Sequence, residues 1–181
     1  MTFYTVQVDE SRLVEYYNIP ISFEVNSIYQ VNNDKESIEL IEFPLMKSYV
    51  KDYDQLSSNS WMTMDTKNWK IFLAFEENSY DNKSIGGAIV TMPECILLDI
   101  RVMPGKRRLG VGRTLLKHVI NWAKQQGVKT CMTIETQNTN VSACRFYAAM
   151  GAKLMDIDRN AYEDDEVKHE IRLNWYIDFN S

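Results

Sequence analysis

Residues 105–127, GKRRLGVGRTLLKHVINWAKQQG, constrain the fold of this chain more strongly than any other stretch. A short basic, glycine-rich segment leads directly into a helix whose apolar residues recur at helical spacing with polar residues opposite. Gly127 is well placed to end that helix. The run before it, CILLDIRVM, is apolar apart from Asp99 and Arg101, which predicts a strand in the middle of a sheet.

Further strands and one more helix are predicted from their patterns. The strands are YTVQV, SFEVNSIYQV, WKIFLAFEE, IGGAIVTM, KTCMTIET, AKLMDIDRNAY and EIRLNWYIDF, and the helix is QNTNVSACRFYAAMG. WKIFLAFEE and IGGAIVTM should form a hairpin across the turn YDNKS, and the proline of LIEFPLMKSYVKDY should interrupt its segment. The polar residues 52–68 indicate a loop with exposed aromatic side chains. The order of elements in the second half predicts an α/β sheet with a parallel crossover.

Length and composition limit the classes of protein to consider. A chain of 181 residues with 45% hydrophobic content suits a single domain, residues 1–181. A net charge of −5 argues against nucleic-acid binding, and without a run of about 18 apolar residues no membrane span is expected. Three cysteines without C-x-x-C spacing and no visible secretory signal predict a cytoplasmic protein with reduced thiols. Two scattered histidines predict no metal site.

The basic segment has the properties of a diphosphate site. A helix N-terminus offers unpaired N–H groups and the positive end of its dipole. Gly110 and Gly112 remove side chains that would keep a diphosphate from the backbone, and Arg107, Arg108 and Arg113 add positive charge.

Other phosphate loops fit this segment less well. A P-loop needs a Lys-Ser/Thr pair that does not follow Gly112, and the third glycine of a Rossmann fingerprint is missing. The pattern R-x-x-G-x-G at residues 107–112 closely resembles the coenzyme A signature of the GNAT N-acetyltransferases. A glycine-containing turn with solvated arginines is the alternative interpretation.

A second stretch, NTNVSACRFYAAMGAKL, strengthens this resemblance. Asn140, Cys144 and Tyr147 fall at i, i+4 and i+7 and so share one helix face. The neighbouring stripe, predicted to be core, is Ala143, Phe146 and Met150. In the family's second signature an Asn and a Tyr flank the cofactor, which implies that Asn140 hydrogen-bonds the pantetheine arm and that Tyr147 protonates the departing thiolate. Tyr147 packed on the sheet is the alternative, and Cys144 is expected to be a small buried residue beside the cofactor, not a nucleophile.

The resemblance also implies a fold and a set of cofactor contacts. The fold would be a mixed, mostly antiparallel central sheet with a parallel β-α-β crossover at the cofactor site, flanked by helices. Residues 94–151 would form the acetyl-CoA-binding core, and the first third would lie on the substrate side. The implied contacts with coenzyme A are the strand residues Ile100, Arg101 and Val102 and the loop residues Arg107, Arg108, Leu109, Gly110, Val111, Gly112 and Arg113. An N–H group of that strand could polarise the thioester carbonyl.

Two carboxylates are candidates for the group that takes the proton from the amine. A primary amine is almost entirely cationic at neutral pH and attacks only when neutral, so the enzyme needs an acceptor for its proton. Many family members carry a Glu-Asp pair in the central strand, where this chain has Leu98 and Asp99. Glu135, at the end of the neighbouring strand, is the second candidate, and ordered water is the third route. Asp99 could instead pair with Arg101 or a helix N-terminus, and Glu135 could cap the following helix.

Two further groups are weighed for the acceptor pocket. The acidic residues 163–166 indicate a solvated turn more than a cation-binding loop. Trp61 and Trp69 could form a pocket wall, although Trp69 could also belong to the core.

The expected function is transfer of an acetyl group from acetyl-CoA to a primary amine of a small molecule, by direct attack in a ternary complex. ETQNTNVSACRFYAAMGAKL and the closing WYIDF resemble the streptothricin acetyltransferase branch of the family, which puts streptothricin-like antibiotics first among acceptors. Acetylation of a protein N-terminus or lysine, and a non-catalytic coenzyme A sensor, are the alternatives. Homodimers are common in the family, and no partner surface can be identified in the sequence.

Overall fold

The computed structural model describes residues 2–33, 37–52, 65–77 and 83–180. Its elements are β1 (Phe3–Val8), α1 (Leu13–Tyr17), β2 (Phe23–Asn33), β3 (Ile38–Lys51), β4 (Trp69–Glu76), β5 (Ser84–Thr91), β6 (Ile96–Val102), α2 (Val111–Gln125), β7 (Cys131–Gln137), α3 (Val141–Ala149), β8 (Lys153–Asp158) and β9 (Arg172–Asp178). Trp61, most of the predicted loop 52–68 and part of the turn YDNKS lie outside the described residues.

The chain forms two compact units. The first consists of Met1–Ser22, Asp52–Met132 and Phe179–Ser181, and the second of Phe23–Lys51 and Thr133–Asp178. The cofactor loop predicted at residues 107–113 belongs to the first unit, and Glu135, Asn140 and Tyr147 belong to the second.

The first unit is built on an antiparallel sheet with the strand order β1-β4-β5-β6. The predicted hairpin of β4 and β5 is confirmed, with Trp69 opposite Thr91. Five consecutive residues of β4 are buried, because helices cover both faces of the strand. On one face Ile71, Leu73 and Phe75 pack with α1. On the other, the Phe72 ring lies 5.2 Å from that of Trp122 in α2.

Helix α2 confirms the helix predicted after the glycine-rich segment. Its fully buried residues are Leu115, Leu116, Val119 and Ala123. Gly127 lies just beyond the helix with a φ of 91°, a left-handed conformation that suits glycine at a helix end.

Helix α1 was not predicted from the sequence. The Asp9 side chain accepts a hydrogen bond from the Ser11 N–H at 2.9 Å and so caps a single 3-10 turn that runs into the helix. Leu13 and Tyr16, one turn apart, are buried. The Asp-x-Ser cap and the i, i+3 spacing of these two residues were the available signals.

Tyr16 can pack on β5 only because residue 87 is a glycine. A Cβ at Gly87 would lie 2.6 Å from Cδ2 of Tyr16 and 3.0 Å from the carbonyl oxygen of Phe72. The ring therefore occupies the space of the missing side chain, and α1 lies close against the sheet.

The second unit contains strands in the order β7-β9-β8 and a separate β2–β3 hairpin. The predicted strand pair β8–β9 is confirmed as antiparallel. Pro44 does not end its strand, contrary to the prediction, since β3 continues to Lys51. Instead, the pairing of β3 with β2 becomes irregular next to Pro44. Val25 pairs with Tyr49, whereas Ser27, two residues further along β2, pairs with Pro44. A proline has no N–H for a ladder bond and is tolerated where pairing is irregular.

Helix α3 forms as predicted, but its buried face is not the stripe that was expected. Its buried residues are Val141, Cys144 and Tyr147. The predicted core stripe, Ala143, Phe146 and Met150, is only half-buried. The face that contacts β7 carries Cys144 instead, whose Sγ lies 3.3 Å from the buried Thr136 hydroxyl.

Within residues 2–33, 37–52, 65–77 and 83–180, no helix combines the length and the apolar character that crossing a membrane requires.

The close approach at Gly87 generates a stability prediction. Gly87→Ala should lower the free energy of unfolding by about 1–3 kcal/mol, because the new methyl group overlaps the Tyr16 ring and strand backbone. Gly105→Ala is the matched control, because nothing lies within 4 Å of a Cβ at that position. Its change should stay within about 0.5 kcal/mol. Urea unfolding of both variants provides the measurement, and equal midpoints would contradict the packing described for α1.

Candidate active site

The start of α2 is an N-terminus without a side-chain cap. Gly110 occupies the cap position and has no side chain to accept from the first-turn amides. The first hydrogen bond of the helix runs from the Thr114 N–H to the Gly110 carbonyl at 3.0 Å. The preceding N–H groups of the first turn therefore form the kind of site that binds phosphate oxygens.

The backbone leading into this helix has an unusual conformation at two positions. Arg108 has a φ of 63° and Gly110 a φ of 94°. The left-handed conformation costs an arginine about 1–2 kcal/mol, and such strain is concentrated at binding sites. Left-handed residues in a loop can aim successive N–H groups into one anion-binding hollow. Nothing lies within 4 Å of a Cβ at Gly110, so the space above it is open to a ligand.

The three arginines of this loop do not have the same surroundings. Arg107 is half-buried and donates to the carbonyl oxygens of Val102 at 3.0 Å, Ser22 at 2.8 Å and, more loosely, Pro20 at 3.4 Å. Burial lowers the pKa of its guanidinium. Arg108 and Arg113 are exposed. Arg107 thus ties the loop to the chain before β2, and the positive charge open to an anion comes from the other two.

Asp99 on β6 pairs with the buried Arg101, as one of the alternatives to a role as base predicted. Arg101 is 7% exposed, and its Nε donates to Oδ2 of Asp99. Its guanidinium lies 5.0 Å and 4.8 Å from the ring centroids of Tyr16 and Tyr17. The carboxylate of Asp99 is therefore engaged in an ion pair with a buried guanidinium.

The backbone of β6 is paired with β5 at the residues expected to meet pantetheine. Ile100 lies opposite Ala88, Arg101 opposite Gly87, and Val102 opposite Gly86. Of these three strand residues, Val102 also accepts a hydrogen bond from Arg107 through its carbonyl oxygen. The role of Ile100, Arg101 and Val102 in holding the pantetheine amides stays a prediction, as do contacts with the exposed Leu109, the buried Val111 and the partly buried Gly112.

Glu135 on β7 has a different environment. Its side chain is 45% exposed. The Tyr162 hydroxyl donates to its Oε1 at 2.9 Å, and Nη1 of Arg172 lies 3.7 Å from its Oε2. Arg172 is held more tightly by Asp158, at 2.8 Å. Glu135 does not cap the following helix, so that interpretation was wrong.

Asn140 supplies the cap of α3. Its Oδ1 accepts from the Ala143 N–H and from the Ser142 hydroxyl, both at 3.1 Å. The cap uses the oxygen end of the amide, and the NH₂ end is the part that could donate to a pantetheine carbonyl.

Cys144 and Tyr147 lie together on the buried face of α3. Cys144 is 1% exposed, and burial raises the pKa of its thiol to about 11. It therefore stays a protonated thiol at neutral pH, which disfavours a nucleophilic role. Tyr147 is 5% exposed, with its ring centroid 5.2 Å from that of Phe146. Its role as a general acid stays a prediction.

The acidic residues 163–166 find their hydrogen-bond and ion-pair partners largely within their own turn. Oδ1 of Asp164 accepts from the Glu166 N–H at 2.9 Å, and Lys168 pairs with Asp165 at 2.7 Å. This favours the solvated turn over a cation-binding loop. Trp69 packs against the core of the first unit. Among the residues that the structure describes, no group of three or more His, Cys, Asp or Glu side chains is placed to hold a metal ion.

Two polar features of the second unit were missed in the sequence. Asn138 is buried, donating to the Tyr29 carbonyl at 2.9 Å and accepting from the Ile171 N–H at 2.8 Å. Tyr162 joins Glu135 to Gln137. Single polar residues in loops carry no periodic signal, so neither could have been found from the pattern.

Comparison with known proteins identifies the family. The model of the acetyltransferase (GNAT) family matches residues 36–152, more than half of the 181 residues. The chain belongs to the GNAT acetyltransferase family. It therefore has the mixed, mostly antiparallel sheet with a parallel pair and flanking helices that the resemblance implied.

Among curated GNAT relatives, streptothricin acetyltransferase A of Bacillus subtilis is 37% identical over 84 residues, 46% of this chain and 48% of that protein. The ribosomal protein bS18 alanine N-acetyltransferase of Escherichia coli is 36% identical over 73 residues, 40% of this chain and 49% of that one. The chain thus spans about half the length of these curated relatives.

A solved structure aligns with almost the whole chain. It is a Bacillus anthracis protein, provisionally described as a streptothricin acetyltransferase and solved in complex with acetyl coenzyme A. It is 27% identical to this chain with a TM-score of 0.79, covering 98% of this chain and 100% of that one.

The two neighbouring arginines of the loop allow a matched test of the Arg107 contacts. Arg107→Lys should lower the free energy of unfolding by about 1–3 kcal/mol, because one ammonium cannot reach the carbonyls that the guanidinium joins. Arg108→Lys, at an exposed position, should change it by less than about 0.5 kcal/mol. Thermal and urea unfolding measure both, and equal losses for the two variants would contradict the anchoring role of Arg107.

Proposed function

We propose that this protein transfers the acetyl group of acetyl-CoA to the neutral form of a primary amine on a small molecule, by direct attack in a ternary complex. The observation that carries the proposal is the start of α2, where uncapped helical amides follow Gly110 and the exposed Arg108 and Arg113 lie on either side of it in the sequence. The family membership and the relative solved with acetyl coenzyme A support the same cofactor.

Coenzyme A would be held at its diphosphate and along its pantetheine arm. The first-turn amides of α2, with Arg108 and Arg113, would bind the diphosphate. The NH₂ group of Asn140 would donate to the pantetheine arm, since its oxygen is used by the helix cap. Ile100, Arg101 and Val102 would contribute backbone amides to the same arm.

We assign the proton transfers to Tyr147 and Glu135. Tyr147 would act as the general acid that protonates the departing thiolate. Glu135 is favoured over Asp99 as the base, because its carboxylate is partly exposed while that of Asp99 neutralises a buried guanidinium. No acyl-enzyme is required, in agreement with the protonated state of the buried Cys144 thiol.

Streptothricin-like aminated antibiotics are the first acceptors to test. The similarity to the Bacillus subtilis streptothricin acetyltransferase supports this substrate class. The similarity to the bS18 alanine N-acetyltransferase favours a second candidate, the N-terminal amine of a protein. A coenzyme A sensor without chemistry is the third.

A panel of acceptors separates these candidates. The protein is incubated with acetyl-CoA and streptothricin, spermidine, an aminoglycoside or a peptide with an N-terminal alanine, and the release of coenzyme A thiol is followed. Turnover of streptothricin in preference to the peptide is the expected result. Preference for the peptide would favour a protein acceptor. Thermal stabilisation by coenzyme A without turnover of any amine would favour the sensor, and no binding of acetyl-CoA would exclude the proposal.

The role of Tyr147 has its own test. Tyr147→Phe should lower kcat by about 100-fold or more, because the thiolate then leaves without its proton donor. The affinity for acetyl-CoA should stay within about twofold, because the ring and its packing are retained. Tyr4→Phe, on the edge strand of the first unit, is the control and should leave both quantities unchanged. A large loss of affinity in place of kcat would mean that Tyr147 is a packing residue.

A further inference from the structure

The hydroxyl of Tyr162 lies between two side chains of β7. Nε2 of Gln137 donates to the Tyr162 oxygen at 3.1 Å, and the Tyr162 hydroxyl donates to Oε1 of Glu135 at 2.9 Å. Glu135 and Gln137 are two residues apart on one strand, so they project from the same face and one phenol can reach both.

The chemistry of these groups fixes the direction of the chain of hydrogen bonds. The amide nitrogen of Gln137 can only donate, so the phenol oxygen accepts there and its single hydrogen goes to Glu135. Burial, with the carboxylates of Glu135 and Glu170, raises the pKa of Tyr162 despite the opposing bond from Gln137. The phenol therefore remains a protonated donor at neutral pH.

The loop that carries Tyr162 is attached on both sides of the tyrosine. Arg159 donates to the Val31 carbonyl at 2.7 Å. On the other side Glu170, which is 3% exposed, pairs with Lys51 and accepts from the Thr139 hydroxyl at 3.2 Å. Because both ends are fixed within the same unit, the phenol is held in place over β7.

We propose that Tyr162 is a positioning residue that holds the carboxylate of Glu135 in the orientation in which it takes the proton of the acceptor ammonium. The proposal rests on the proposed function. In that step an N–H bond of the ammonium breaks and its proton passes to the Glu135 carboxylate. The neutral nitrogen then forms a bond with the acetyl carbon and loses a second N–H proton to water. As the C–S bond breaks, the thiolate of coenzyme A leaves and takes the proton of Tyr147. Water then takes the proton from Glu135 and returns one to Tyr147.

The hydrogen bond from Tyr162 is shorter than the contact that the Glu135 carboxylate makes with Arg172. A half-exposed glutamate has three rotatable bonds, and the second neighbour of Glu135, Arg172, is at 3.7 Å and is shared with Asp158. Without the phenol the carboxylate would sample several rotamers in solvent. Reaction rates are sensitive to such a loss of orientation, because misplacement by about 1 Å can cost as much as about 100-fold.

Four variants test the proposal: Tyr162→Phe, Glu135→Gln, the double variant and the control Glu163→Gln, an exposed acid next to Tyr162. Tyr162→Phe should lower kcat about tenfold with KM for acetyl-CoA unchanged, and Glu135→Gln should lower it about 100-fold. In the double variant the loss should equal that of Glu135→Gln, because a positioning residue has no effect once its target is gone. A structural role for Tyr162 would reduce kcat further in the double variant and would overturn the proposal.

A second readout does not depend on turnover. In protein labelled with ¹³C at the tyrosine ring carbon that bears the hydroxyl, the Tyr162 signal is assigned by its absence in Tyr162→Phe or, if that variant does not fold, in Tyr162→Trp. Glu135→Gln should shift this signal at neutral pH, and Glu163→Gln should not. If the chemical shift of the Tyr162 signal does not change in Glu135→Gln, the proposal is overturned, whichever acceptor the enzyme uses.

The outcomes also separate this proposal from the proposed function. Full turnover by Glu135→Gln would overturn the positioning role while acetyl transfer stands. A 100-fold loss in Glu135→Gln with no loss in Tyr162→Phe would overturn the positioning role alone. Absence of acetyl transfer to any amine would overturn the proposed function, and the nuclear magnetic resonance result would then decide whether the contact between Tyr162 and Glu135 exists.

Discussion

The guanidinium of Arg107 is the contact on which the cofactor loop depends. It joins the last carbonyl of β6, at Val102, to the carbonyl of Ser22. A planar group with five donors can hold several carbonyl oxygens at fixed angles, which a lysine cannot do. With its start fixed in this way, the chain can turn through a left-handed Arg108 and Gly110 and present uncapped amides at the head of α2. For anchoring the loop, the planar shape of the Arg107 guanidinium therefore matters more than its positive charge.

Two carboxylates of the same chemical type have different surroundings. Asp99 is the counter-ion of a guanidinium that is 7% exposed and lies 5.0 Å and 4.8 Å from the centroids of two tyrosine rings. Its carboxylate is thus committed to an ion pair with a guanidinium inside the first unit. Glu135 is partly exposed and accepts a hydrogen bond from the Tyr162 hydroxyl. Because Leu98 stands at the position of the usual glutamate, Glu135 is the carboxylate that we propose as the base.

The sequence predicted regular elements well and the surroundings of single side chains poorly. The periodicity of α2, the β4–β5 hairpin and the β8–β9 pair gave correct elements, because each repeats a local pattern. Helix α1 was missed because it is short. The core face of α3 was predicted wrongly because two apolar stripes were available, and the one with Cys144 is the one that contacts β7. The three arginines of the loop were treated alike in the sequence, because only the fold shows that one of them, Arg107, binds backbone carbonyls.

The sequence by itself determined the strand, loop and helix that define the cofactor site, and with them the family. A missing Cβ at Gly110 and a helix start are local properties, so they can be read from neighbouring letters. Only the tertiary structure decided the surroundings of the two carboxylates. The buried Arg101 pairs with Asp99, and the Tyr162 hydroxyl donates to Glu135, which lies 27 residues away in the sequence. The free energy of a charge is set by the groups around it in space, and a linear pattern does not contain that information.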